Sequence, residues 1–110
     1  MPKPPNPSLV DLANVLGEEN VRNLVRTFLT EFPVSFETLR AGDGKNRHRV
    51  AHSLKGNTRL MGANELSQRF AEIEARMEES PGSEITVAEL ESLRAEFEIL
   101  AGPLRRFAGV

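Results

Sequence analysis

The spacing of apolar residues at intervals of three and four is the feature that most constrains how this chain can fold. Such spacing places apolar side chains along one face of an α-helix. Between about residues 18 and 40 the apolar residues with this spacing are Val21, Leu24, Val25, Phe28, Leu29, Phe32, Phe36 and Leu39. No segment has a convincing strand pattern. The sequence therefore predicts an all-α fold, an antiparallel four-helix bundle with a short extra N-terminal helix.

Prolines and glycines divide the chain. Four prolines among the first seven residues predict an extended leader or linker over 1–7, followed by a helical domain over 8–110. Ser8 is the expected N-cap of a short first helix that ends near Gly17. The second helix should be kinked at Pro33, or replaced by two helices that meet near this proline.

Three further helices are expected. The third should run from about Lys45 to Met61, and Asn64 should cap the fourth. The fourth should end before the Ser80-Pro81-Gly82 segment, and the fifth should span about Glu84 to Phe107.

Composition excludes several classes of protein. The chain of 110 residues contains 39% hydrophobic residues, which suits one domain with one core. It has no cysteine, so disulfides and thiolate chemistry are impossible. No apolar run approaches the ~20 residues of a membrane span, and the N-terminus lacks the apolar stretch of a signal peptide. We therefore expect a cytoplasmic protein that is not inserted into a membrane.

The predicted third helix is a basic segment in a chain whose net charge is −2. Between residues 44 and 64 there is no acidic residue, whereas the basic residues are Lys45, Arg47, Arg49, Lys55 and Arg59. The segment should therefore form a positive surface on an otherwise negative molecule.

His52 lies at the centre of the polar face of this helix. At about 100° per residue, positions roughly 160° to 240° from His52 should face the core. They are Val50, Leu54, Thr58 and Met61. The face around His52 instead carries His48, Arg49, Lys55, Gly56 and Arg59. The pattern predicts an exposed imidazole among cations, which favour its neutral, nucleophilic form.

Gly56 lies one turn from His52 on the same face. A glycine within a helix costs about 1 kcal/mol relative to alanine, so another advantage should compensate for it. The glycine can either give a partner access to the imidazole or allow close packing between helices, and its outward position favours access.

The segment Ala51-His52-Ser53-Leu54-Lys55-Gly56, followed by Gly62-Ala63 and Leu66, closely resembles the signature of histidine-containing phosphotransfer (Hpt) domains. In that family a lysine stands three residues after the histidine, a glycine follows the lysine, and a second glycine lies ten residues after the histidine. The predicted helices match as well, over about residues 8–108.

The resemblance implies that His52 accepts a phosphoryl group from a receiver-domain aspartate and passes it to another receiver aspartate. It also implies that Lys55 contacts phosphoryl oxygens, that Gly56 leaves room for the partner, and that Arg59 assists. The first two helices would help to dock the receiver. The module would need no cofactor of its own, since the receiver supplies Mg²⁺, and would be a phosphoryl carrier rather than an enzyme. Sensor-kinase helices usually have an acidic residue directly after the histidine, where this chain has Ser53.

Other interpretations remain open. His48 and His52 have metal-ligand spacing, but the nearest acidic residues in sequence lie off their face, so no metal site is expected. The glutamates Glu72, Glu74, Glu78 and Glu79 are expected to form a solvated face.

The basic helix could also bind nucleic acid, but the negative net charge and the lack of Trp and Tyr argue against this function. Hydrolase chemistry has no recognisable nucleophile motif. The remaining alternative is a scaffolding bundle that docks a receiver without accepting phosphate. We expect a monomer.

Overall fold

The computed structural model describes residues 2–110, so Met1 of the predicted leader lies outside the described residues. The described residues form five α-helices and no strand, which confirms the predicted fold class. The helices are α1 (Pro7–Leu16), α2 (Glu18–Ala41), α3 (Gly44–Leu60), α4 (Asn64–Glu79) and α5 (Val87–Ala108).

The four longer helices form the bundle, and α1 packs on α2. Short connections join α2 to α3 and α3 to α4, so these neighbours run antiparallel. Helix α3 packs against both α2 and α4, while α2 also packs against α5. Consequently α3 has one face inside the bundle and one face that is free to carry exposed side chains.

Phe32 lies at the centre of the aromatic core. Its ring stacks on Phe97 of α5 with the centroids 3.8 Å apart, and it also contacts the rings of Phe28, Phe36 and Phe70. All five rings are almost completely buried. Aromatic contacts thus connect α2, α4 and α5, and these five phenylalanines are core residues.

Helix α1 begins two residues earlier than predicted, because its N-cap is Asn6 and not Ser8. The Asn6 side chain accepts a hydrogen bond from the Leu9 amide and donates one to the Met61 carbonyl, at 2.8 Å. Proline suits the first helical position, where no amide hydrogen is needed, so Pro7 follows the cap without cost. Asn6 therefore both starts α1 and attaches it to the end of α3.

Helix α2 is continuous through Pro33, so of the two predicted alternatives the one with two separate helices is wrong. Pro33 is exposed, whereas Phe28, Phe32 and Phe36 on either side of it are buried. Packing of this face favours one helix, although the proline cannot donate a hydrogen bond to the preceding turn.

Two other helix starts differ from the predictions. Helix α4 is capped by Ala63 without a side-chain bond, and Asn64 is its first helical residue rather than its cap. Helix α5 starts at Val87, three residues later than Glu84, because the Thr86 side chain accepts a hydrogen bond from the Glu89 amide. Val87, the first residue of this helix, is exposed.

None of the helices in residues 2–110 is both long enough and apolar enough to cross a membrane.

Candidate functional site

Helix α3 presents the faces that its sequence predicts. Asp43 caps its first turn by accepting a hydrogen bond from the Asn46 amide. The predicted inner residues Val50, Leu54, Thr58 and Met61 are all buried. On the opposite side, 66% of the His52 side chain is exposed. The imidazole is therefore accessible.

His52 does not, however, point freely into solvent. Its Nδ1 lies 2.5 Å from Oε2 of Glu74 on α4, and the other oxygen of Glu74 lies 2.5 Å from Lys55 Nζ. Only 8% of Glu74 is exposed. The expectation that Glu74 belongs to a solvated face is wrong, because α4 turns this carboxylate towards α3 between two donors.

The contacts of Glu74 determine which nitrogen of His52 is available. Burial raises the pKa of Glu74, but the hydrogen bonds from Lys55 and His52 outweigh burial, and the pKa is lowered from 4.5. The group is thus an ionised carboxylate at neutral pH and can only accept hydrogen bonds. Nδ1 of His52 must therefore carry a hydrogen, so whenever the ring is neutral the lone pair is on Nε2.

A buried hydroxyl adds to the contact between α3 and α4. Ser67 Oγ donates a hydrogen bond of 2.8 Å to the Lys55 carbonyl, and Ser67 itself is buried. Since Ser67 and Glu74 are seven residues apart, they lie on the same face of α4. The hydroxyl therefore helps to hold in place the face that carries Glu74.

The other predicted site residues lie around this contact. Lys55 is about one-third exposed, and Gly56 is exposed with open space where a Cβ atom would project. Arg59 is also exposed, two turns and about 10.5 Å along α3 from His52. The structure thus brings His52 and Lys55 together through Glu74, leaves Gly56 open beside them, and places Arg59 further along the same face.

A second contact between the two helices joins His48 of α3 to Glu78 of α4. Nε2 of His48 lies 3.0 Å from Oε1 of Glu78. Ligand atoms of His48, Glu74 and Glu78 all lie within 4.8 Å of one another. The sequence argument against a metal site was that no carboxylate lies near the histidine pair. That argument is wrong, because α4 supplies two carboxylates.

Together these side chains form a shallow groove between α3 and α4, lined by His48, Arg49, His52, Ser53, Lys55, Glu74 and Glu78. Residues 23–102, which include all of α3 and α4, match the family model of the Hpt domain. The chain belongs to the Hpt domain family. No curated protein and no solved structure gave a significant match.

Membership of the family indicates the general role of the chain. Hpt domains are phosphoryl carriers that work with receiver domains in two-component phosphorelays. An exposed histidine in the family's motif, with one ring nitrogen held and the other open, suits this chemistry.

Glu74 is the site residue that sequence reasoning missed. It is separated from His52 by 22 residues, and the helical period of α3 contains no information about which residue of α4 faces it. One signal was present. Glu74 follows Phe70 by four residues and precedes Met77 by three, so it borders the apolar face of α4, where a carboxylate needs partners.

Proposed function

We propose that His52 accepts a phosphoryl group from the phosphoaspartate of one receiver domain and passes it to the aspartate of another. The observation that carries this proposal is the Nδ1 contact with Glu74, which leaves Nε2 of the exposed ring as the nucleophile in the neutral form of the histidine. The motif supports the same assignment through Lys55 and Gly56, at three and four residues from His52.

Phosphoryl transfer between a receiver aspartate and His52 needs no further reactant, because one bond to phosphorus forms as another breaks. The Nε2 lone pair of His52 forms a bond to phosphorus as the bond from phosphorus to the aspartyl oxygen breaks, which returns the electron pair to the aspartate carboxylate. The hydrogen on Nδ1 stays between the ring and Glu74, whose negative charge stabilises the ring as it becomes cationic. In the second step a carboxylate oxygen of the next receiver attacks phosphorus, and Nε2 recovers its lone pair.

Three other residues of α3 assist in this proposal. Lys55 donates to Glu74 in the free protein and contacts phosphoryl oxygens during transfer, where positioning and charge stabilisation dominate. Gly56 leaves the approach to His52 open, and Arg59 adds positive charge towards the end of the helix.

The proposed partners are receiver domains of response regulators or hybrid kinases. Exposed apolar side chains on the first two helices offer a docking surface, and they include Val10, Val15, Leu16 and Leu24. The module acts as a monomer and without a cofactor of its own, since Mg²⁺ is held by the receiver. It does not bind nucleic acid.

The test is transfer of labelled phosphate from a phosphorylated receiver domain to the protein. The wild type should acquire acid-labile, alkali-stable label, whereas His52→Gln should acquire none, and His48→Gln controls for loss of a histidine as such. Label that persists in His52→Gln would overturn the assignment. A wild type that binds the receiver but stays unlabelled would instead identify a scaffold.

Lys55→Ala should slow transfer while leaving the helical circular dichroism unchanged. The matched control is Lys45→Ala, which removes an exposed lysine from the first turn of the same helix. Equal transfer rates in the two variants would remove Lys55 from the mechanism.

A further inference from the structure

We infer that His48, Glu74 and Glu78 form a binding site for a divalent cation of the Zn²⁺ type, beside the proposed phosphoacceptor. His48 comes from α3, and the two glutamates are four positions apart on α4, so all three side chains line the groove between these helices. The proposal rests on this juxtaposition.

The residue types and distances suit zinc. Zn²⁺ is bound by imidazole nitrogen and carboxylate oxygen at about 2.0–2.2 Å, so ligand atoms of a tetrahedral site lie roughly 3.3 Å apart. His48 Nε2 and Glu78 Oε1 are already 3.0 Å apart, and the three ligand atoms lie within 4.8 Å. Since Glu78 is exposed and His48 is partly exposed, small rotations of their side chains can close the site. Three protein ligands leave a fourth position for water.

Neighbouring basic side chains should lower the affinity of this site for Zn²⁺. Glu74 is shared with Lys55 and His52, and Arg49 lines the same groove. A bound cation must compete with Lys55 for the carboxylate and is repelled by both basic side chains. Removing the Lys55 charge should therefore increase the affinity for Zn²⁺.

A bound cation should also affect phosphoryl transfer by His52, an inference that rests on the proposed function. A Zn²⁺ ion on Glu74 withdraws negative charge from the carboxylate that accepts the Nδ1 hydrogen, so it weakens the stabilisation of the cationic ring. Occupation of the site should therefore slow phosphoryl transfer, which would make the groove an inhibitory metal site.

Binding is tested by titrating the protein with zinc chloride in a calorimeter. The wild type should bind one equivalent, and His48→Gln and Glu78→Gln should each weaken binding by more than about tenfold, the loss expected even for an outer partner of a metal site. The matched control is Glu79→Gln, which removes a neighbouring exposed carboxylate outside the cluster and should bind as the wild type does. Mg²⁺, which prefers an oxygen octahedron, should not compete.

Two outcomes would overturn the site. One is the absence of saturable binding to the wild type. The other is binding that is lost in His52→Gln and His48→Gln but kept in Glu78→Gln, because it would assign the metal to the histidine pair alone. Lys55→Ala should bind more tightly than the wild type, and weaker binding would contradict the charge competition.

Transfer is then measured with and without Zn²⁺ for the wild type and Glu78→Gln. Zinc should slow the wild type and leave Glu78→Gln at its metal-free rate, which also excludes an effect on the receiver. Equal inhibition of both proteins would overturn the regulatory role. If neither protein is labelled without zinc, the proposed function fails, while the calorimetry still decides the metal site.

Discussion

Gly56 and Glu74 show how single residues shape the groove in opposite ways. Gly56 contributes empty space on the exposed face of α3, while Glu74 contributes a nearly buried charge with two donors around it. A glycine within a helix lowers stability, and a buried carboxylate is costly unless it is paired. Both residues are therefore better explained by the proposed role of His52 in phosphoryl transfer than by the fold alone.

Replacing Gly56 by glutamine should separate stability from transfer. Because a side chain there projects into open space, Gly56→Gln should raise the free energy of unfolding by up to about 1 kcal/mol through helix propensity. The bulkier side chain should nevertheless slow transfer from the receiver. Urea unfolding and labelling rates measure the two effects, with Asn57→Gln as the control on an exposed position of α3 that faces away from His52. A less stable variant with normal transfer would contradict the clearance role.

Glu74→Gln should slow transfer and remove a pH-dependent part of the stability. Because the folded-state pKa of Glu74 is lowered, its ionised form stabilises the fold at pH values above its ordinary pKa of 4.5, and this contribution is lost as the pH falls through the lowered value. The difference in unfolding free energy between the wild type and Glu74→Gln should therefore shrink as the pH falls from 7 to below 4.5. Glu79→Gln is the exposed control, and a difference that does not change with pH would contradict the assignment.

The extent of sequence prediction differs between these residues. The exposure of His52 and Gly56 follows from the period of one helix, so it was predictable and is confirmed. The position of Glu74 depends on how α4 is rotated against α3, and that rotation is set by packing across the interface. A periodic pattern within each helix specifies which face is apolar, but not which polar residues meet at its border.

At the scale of elements, the turn between α3 and α4 is fixed by two residues that lie far apart in sequence. Gly62 adopts a φ of +82°, and its amide donates to the Arg59 carbonyl. The Asn6 side chain lies against Gly62 where a Cβ atom would project, and it donates to the Met61 carbonyl. The turn therefore holds α1, α3 and α4 together.

Gly62→Ala should be more destabilising than an ordinary glycine substitution. Alanine at this φ costs roughly 1–2 kcal/mol, and its methyl group would also displace the Asn6 side chain from its cap and its bond to Met61. Gly82→Ala is the matched control, because Gly82 has a φ of +88° but nothing near its Cβ position. Chemical denaturation should show the larger loss for Gly62→Ala, and equal losses would exclude the contact with Asn6.

Helix starts were the least predictable part of the elements. Asn6 and Thr86 act as caps, whereas Ser8 and Asn64, which are equally suitable by residue type, lie within helices. Capping residues are common near helix starts, so residue type narrows the choice without deciding it. Contacts such as the bond from Asn6 to Met61 decide between neighbouring candidates.

At the scale of the molecule, the bundle depends on the packing around Phe32. This ring contacts aromatic residues of three helices, and it stacks directly on Phe97. Such a core could be anticipated from apolar spacing. The particular ring pairs could not, because they depend on the relative rotation of α2 and α5.

Phe32→Ala should lower the free energy of unfolding by about 3–5 kcal/mol, since it leaves a cavity between α2, α4 and α5. The exposed Val34→Ala on the same helix should change the free energy by less than about 0.5 kcal/mol. Urea denaturation monitored by circular dichroism measures both values. A loss below 1 kcal/mol in Phe32→Ala would contradict the central position of this ring.

Arg22 brings the two ends of the described chain side by side. Its guanidinium donates to the Pro2 carbonyl and to the Phe107 carbonyl, at 3.2 Å in each case, and it lies over the Phe107 ring. Neighbouring ends allow circular permutation in many domains. A short glycine-rich linker could therefore join residue 110 to residue 2, and new ends could be opened in the exposed Ser80–Gly82 turn at the opposite pole. Such a rearranged chain would keep the α3–α4 groove intact while letting a tag or surface tether be attached at either pole.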